Sequence, residues 1–129
     1  MKLAASCAAA RQERMERIRR GRLSAQALRV AFPGLERIRL ELKFEGAKAN
    51  PPADQSHVLH PAARAFFEFP CPYADCDGEF DLTSAVAAAV AGKAHEAHGV
   101  LDCCGRRALD YASKQECRLQ VLYTVTATY

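Results

Sequence analysis

Between Leu35 and Gly46 the chain alternates without a break, with Ile38, Leu40, Leu42 and Phe44 on one side and Arg39, Glu41, Lys43 and Glu45 on the other. A period of two belongs to a strand with one buried and one wet face. The polar side alternates in sign, which suits pairing with a solvated neighbour. A second alternation closes the chain. Cys117, Leu119, Val121, Tyr123 and Val125 fall on one side, and Arg118, Gln120, Thr124 and Thr126 on the other, so a long terminal strand beginning at Cys117 is predicted. Three shorter runs, Ala65 to Phe69, Glu79 to Leu82 and Gly99 to Cys104, read as further strands.

Helical spacing dominates elsewhere. From Ala8 to about Val30 the residues are strong helix formers, with Met15, Ile18, Leu23, Ala27 and Val30 loosely on one face. Gly21 interrupts this stretch. Ser24 is placed to cap a second helix, Ser24 to Phe32, which Pro33 and Gly34 end. Thr83 or Ser84 opens an Ala-rich helix through about Ala94, with Val86 and Val90 as its apolar pair. Ala47 to Pro61, with Asn50-Pro51-Pro52, Asp54 and Ser56, reads as a loop that holds His57 and His60. Arg106 to Glu116 reads as a polar connection. The fold expected is α+β: amino-terminal helices, then an antiparallel sheet of about four strands with one packed helix. Its parts are a basic helical arm, residues 1–34, and a sheet domain, residues 35–129.

Composition sharpens this picture in two ways. Of 129 residues half are hydrophobic, but Ala supplies so many of these that Ile, Leu, Val and Phe make up only about a fifth of the chain. A thin core follows, and such a core gains from a staple. Charge is also uneven: residues 1–46 carry 11 Lys and Arg against 5 acids, whereas residues 47–129 carry 7 against 10. No stretch is long and apolar enough for a membrane span. Lys2 precedes an Ala-rich run, but Arg11 follows too soon for an export signal. A cytoplasmic protein is expected, in which clustered thiols bind metal rather than pair as disulfides.

Six cysteines give that expectation a place. Cys71 and Cys76 have four residues between them in Pro70-Cys71-Pro72-Tyr73-Ala74-Asp75-Cys76-Asp77-Gly78, wrapped in turn residues between two short strands. Cys103-Cys104-Gly105 follows a candidate strand, and Cys117 begins the last one. Thiolates must converge on a tetrahedral ion at about 2.3 Å, so two sulfurs from one segment require a tight turn. Cys76-Asp77-Gly78 and Cys103-Cys104-Gly105 share the form Cys-x-Gly, in which glycine lets the backbone turn close to sulfur. This echo favours Cys103 over Cys104, and Cys7 lies far off in the helical arm. The expected ligands are Cys71, Cys76, Cys103 and Cys117, with Cys104, His95 and His98 as the replacements left open.

Two cysteine pairs presented by two hairpins resemble the zinc ribbon family, over residues 65–129. The family's usual Cys-x2-Cys is wider here at Cys71 and Cys76. The distance from Cys103 to Cys117 requires residues 106–116 to loop out and return. In layout the segment is also similar to the zinc ribbons of phage late-gene activators. The resemblance implies a structural zinc, closed to substrate by four thiolates, although iron suits four thiolates equally.

Catalytic signatures are missing. His95-Glu96-Ala97-His98 places its imidazoles at i, i+3, whereas the metalloprotease helix needs i, i+4. No phosphate loop, nucleophile elbow or Cys-x-x-Cys pair occurs. In the basic run, Arg11, Arg14 and Arg22 fit a phosphate-contacting stripe that Ile18 interrupts, and Tyr73 is placed to stack on a base. The competing reading is a solvated helix, with Glu13 and Glu16 pairing Arg17 and Arg20. The expected function is a non-catalytic module binding a macromolecule, nucleic-acid or transcription-linked, with no membrane partner. A protein-interaction or assembly module, including a homodimer through an edge strand, is the alternative. A zinc enzyme needs His95 or His98 as a ligand.

Overall fold

Residues alternate between solvent and core along the whole of β1 (Arg37–Glu45). This strand lies between β2 (Gln55–Leu59) and β8 (Gln120–Thr128), and β5 (Glu96–Asp102) pairs with the far side of β8. All three pairings are antiparallel; Leu40 stands opposite both His57 and Val125, and Gly99 opposite Tyr123. The computed structural model describes residues 2–46, 51–107 and 115–129. Before the sheet come α1 (Lys2–Ser24) and α2 (Leu28–Ala31). Between β2 and β5 come β3 (Glu68–Pro70), β4 (Glu79–Asp81) and α3 (Thr83–Ala91). The two-residue strands β6 (Arg106–Arg107) and β7 (Gln115–Glu116) lie between β5 and β8.

The architecture is α+β, with a helix packed on an antiparallel four-stranded sheet. Ile38, Leu40, Leu42, Val121 and Val125 bury the inner face of the sheet. Against them pack Phe67, Phe69, Phe80 and Leu82 from the β3–β4 hairpin and its flanks, with Val86 and Ala89 from α3. The four buried cysteines belong to this same cluster. The thin core is thus continuous with the thiol group.

Several boundaries differ from the sequence reading. Helix α1 runs through Gly21 to Ser24, because Gly21 faces the Phe66 ring so closely that a Cβ would meet it at 2.7 Å. Ser24 therefore closes α1 and caps no second helix; its hydroxyl donates to the carbonyls of Arg20 and Gly21. The second helix shrinks to the four residues of α2. The predicted loop 47–61 contains β2, whose five residues meet β1 as an edge strand between prolines. Residues 47–50 of that loop, and 108–114 of the polar connection, lie outside the described residues.

Only Glu68–Pro70 of the predicted 65–69 strand pairs with β4. At α3, neither Thr83 nor Ser84 caps; the Asp81 carboxylate accepts the Thr83 N–H at 2.9 Å, and the helix stops at Ala91 rather than Ala94. Strand β5 starts three residues early and ends before Cys103. Cys117 also lies outside the terminal strand, since its N–H goes to the Gly105 carbonyl and not to the sheet. The alternation still carries through the gap, with Cys117 and Leu119 both buried.

Candidate metal centre

Two short hairpins make the site. The first is β3–β4, whose last pair, Pro70 with Glu79, closes the loop 71–78. Proline can end a ladder because it has no N–H to give. Within the loop the Cys71 N–H reaches the Gly78 carbonyl at 3.0 Å, and the Cys76 N–H reaches that of Tyr73 at 3.2 Å. The second is β6–β7, where Arg106 pairs with Glu116 and Cys117 donates to the Gly105 carbonyl at 2.9 Å. Cys103 donates to the Leu119 carbonyl at 2.9 Å, tying this hairpin to the start of β8. The described ends of residues 106–116 therefore leave and return side by side, as the spacing of Cys103 and Cys117 demands.

The sulfurs of Cys71, Cys76, Cys103 and Cys117 all lie within 4.8 Å of one another, and all four residues are buried. Cys71 and Cys117 are 3.9 Å apart and Cys76 and Cys103 are 3.6 Å apart. Tetrahedral bonds of about 2.3 Å put ligand sulfurs about 3.8 Å from each other. The four cysteines thus could hold one metal ion.

Backbone donors face the sulfurs in matched fashion. The N–H of Gly78 points to Cys76 Sγ at 3.3 Å, and that of Gly105 points to Cys103 Sγ at 3.4 Å. The shared Cys-x-Gly form has this physical content: the residue two past each sulfur turns its amide back and stabilises negative charge there. Thiols gathered so tightly share their protons unevenly. Hydrogen bonding to Cys103, then to Cys117 and Cys76, together with burial, holds the Cys71 thiol far above its ordinary range. Cys76 is raised for the same first reason, its hydrogen bond with Cys103. Hydrogen bonds from Cys103, Cys71 and Cys76 push the Cys117 thiol below its ordinary range. A divalent cation would replace those shared protons and let all four sulfurs ionise.

The replacement ligands left open by the sequence lie elsewhere. Cys104 is exposed, with its Sγ directed to the Asp102 carbonyl at 3.9 Å. The His95 ring stands edge-on to Tyr129 at 5.5 Å. His98 sits on exposed β5 beside Thr124, with Nε2 3.0 Å from Glu96.

The basic run is engaged within the fold. Arg11 donates from Nη1 to the carbonyls of both Cys71 and Cys76, at 2.8 and 3.0 Å. Arg14 donates to the Asp77 carbonyl and pairs with Glu79 at 2.6 Å, which Arg17 also approaches at 3.4 Å. Arg22 lies over the Phe66 ring, 5.7 Å from its centre. The stripe 11, 14, 18 and 22 faces the cysteine loop and its flank, and Ile18 is its buried member. Glu16 pairs with Arg19 rather than with Arg20.

Sequence reasoning missed Arg107. Its guanidinium lies 3.7 Å over the Tyr73 ring and bonds the Asp75 carboxylate at 3.0 Å, joining one cysteine loop to the other. Arg107 therefore occupies one face of the half-buried Tyr73 ring. Nothing in the periodicity of residues 106–116 marks this contact.

Compared with protein-family models, curated proteins and solved structures, the chain matches none of them. The geometry of four cysteines is what supports a metal site. Among the described residues, no helix is long and apolar enough to cross a membrane.

Proposed function

We propose that the chain is a small structural-zinc protein, zinc ribbon-like in its carboxy-terminal half, that acts as a non-catalytic binding module. The observation carrying this reading is the convergence of four buried cysteine sulfurs within 4.8 Å. Four thiolates complete a tetrahedron and leave no open position for substrate, which favours a structural over a catalytic ion. The softness of sulfur favours zinc, or iron, over calcium or magnesium. Elemental analysis of protein purified without added metal tests the reading, together with a count of reactive thiols. One zinc per chain with four protected thiols supports it; no metal, with all six thiols free, overturns it.

A protein partner, including a second copy, is favoured over nucleic acid by the way the arginines are used. Arg11 and Arg14 donate to the cysteine loop, which leaves Arg22 alone of the stripe for phosphate. Among the described residues, β2 and β5 each have one edge without a neighbouring strand. Such edges accept further strands. Light scattering across a concentration series and affinity capture test this partner reading. A strict monomer without partners, combined with DNA or RNA binding that weakens steeply with salt, would reverse the order of the two readings.

A further inference from the structure

We infer that α1 is a metal-dependent clasp, docked on the cysteine loop when the site is filled and released when it empties. The inference rests on the proposed metal reading and concerns how the site is regulated. Arg11 is the centre of the argument. One guanidinium nitrogen takes the carbonyls of Cys71 and Cys76, residues that a metal ion would draw together through their sulfurs. The two carbonyls converge only while the loop is folded back on itself. Closing the loop on an ion and offering both carbonyls to Arg11 are thus one conformational event.

Little else holds this helix down. Of its described side chains from Ala8 to Ser24, Ile18 is the buried one. Among the described side chains, the remaining anchors are Arg14 and Arg17 on Glu79, the Arg14 bond to the Asp77 carbonyl, Arg22 over the Phe66 ring, and the close seat of Gly21 on that ring. A helix that buries so little apolar surface is held to the rest of the fold by such contacts rather than by a broad apolar face. Charge acts in the same direction. Four thiolates around a divalent ion carry a net charge of about −2, and Arg11 and Arg14 are the cations that α1 brings against that loop, beside Arg107 from the second hairpin. Groups that orient ligand residues in this way typically alter metal affinity by roughly 10–100-fold when removed.

Two measurements test the clasp. Protein is first loaded with zinc to one ion per chain, and release to a chromogenic chelator is timed for wild type, Arg11→Ala, Arg11→Lys and Arg19→Ala. The expected result is release about tenfold faster in Arg11→Ala, with stoichiometry kept at one. Arg11→Lys falls between, and Arg19→Ala, whose arginine pairs with Glu16 across the helix surface, is unchanged. The second measurement uses wild type alone and so does not depend on a variant folding. Trypsin cleavage after the arginines of α1 should accelerate on zinc removal while β1 and β8 keep their amide protection. Equal release from wild type and Arg11→Ala overturns the clasp, as does α1 cleavage indifferent to zinc. Simultaneous loss of sheet protection overturns it as well, because α1 then has no response of its own. A chain that takes up no zinc fails at the loading step, which overturns the metal reading and the clasp together.

Discussion

Gly78 and Gly105 touch backbone to backbone at the junction of the two cysteine loops. A Cβ on Gly78 would lie 2.8 Å from the Gly105 nitrogen and would overlap Cys103 Sγ; one on Gly105 would lie 2.9 Å from the Asp77 carboxylate and overlap Gly78 itself. Each glycine also turns its N–H on the sulfur two residues before it. Absence of a side chain at both positions is what lets the loops close to sulfur–sulfur distance. Gly78→Ala or Gly105→Ala is expected to cost at least about 1–3 kcal/mol, since backbone and sulfur cannot step aside. Urea denaturation of zinc-loaded protein reads the loss, and metal stoichiometry shows whether the site survives. An alanine variant as stable as wild type would mean that the loops do not meet here.

Arg107 bridges the same junction from the side. Its guanidinium stacks on Tyr73 and bonds Asp75, while the Cys76 backbone forms an isolated bridge with Arg107. Arg107→Ala is expected to lower stability by about 1 kcal/mol, with Arg107→Lys retaining only part, because an ammonium cannot both stack flat and bond the carboxylate. Thermal denaturation of the pair of variants decides it. Equal loss in both would assign the effect to the flat stacking on Tyr73 and none to the charge pairing with Asp75, which lysine can still make.

The parts legible in the sequence are those fixed by periodicity and turn chemistry. Ile38 to Phe44 declared β1 because alternation over so many residues has no helical reading, and Cys-x-Gly singled out Cys103 because its neighbour, Cys104, has no matching glycine two residues on. β2 was hidden, since Gln55 to Leu59 is short, flanked by prolines and held in place by β1 rather than by its own propensity. Gly21 reads as a break because propensity counts glycine against a helix, whereas in the fold Phe66 leaves no room for more. The arginine stripe was legible as a face and not as an address. Phosphate oxygens and loop carbonyls ask for the same donors, and only the fold reveals that Cys71 and Cys76 supply the acceptors.

His57 gives the fold a dependence on pH. Its ring stacks on Phe69 with centres 4.4 Å apart, and burial, followed by the nearby Arg22 charge, holds its pKa below the ordinary 6.5. A histidine lowered in this way stays neutral in the folded chain to a lower pH than in the unfolded chain, which takes up a proton near 6.5. Its contribution is therefore complete above that value and is lost as pH falls toward the folded one. His57→Phe keeps the stacking and removes the proton. The drop in urea midpoint from about pH 7.5 to about pH 5.5 should be smaller in the variant than in wild type. Metal loss in acid enters both proteins alike, so the difference isolates His57. Equal drops would show that the ring is protonated as readily folded as unfolded.

Substitution of the cysteines one by one separates those that gather from the one that stands beside them. Cys71, Cys76, Cys103 and Cys117 converge in the core, whereas Cys104 is exposed although it adjoins Cys103. Serine offers a harder donor at the wrong distance, so each of the four Ser variants should lose zinc affinity by more than the roughly 10–100-fold that follows loss of an orienting partner. Because an ion that binds only the folded chain adds its binding free energy to stability, the same four should unfold at lower temperature, and chelator should bring wild type toward them. Cys104→Ser should keep one zinc per chain and stay within about 0.5 kcal/mol of wild type. Cobalt substitution reads the same contrast optically: thiolate charge-transfer absorption should weaken in each of the four variants and persist in Cys104→Ser. Loss of that absorption in Cys104→Ser would place Cys104 among the ligands and show that the four sulfurs gathered here are not the set that binds.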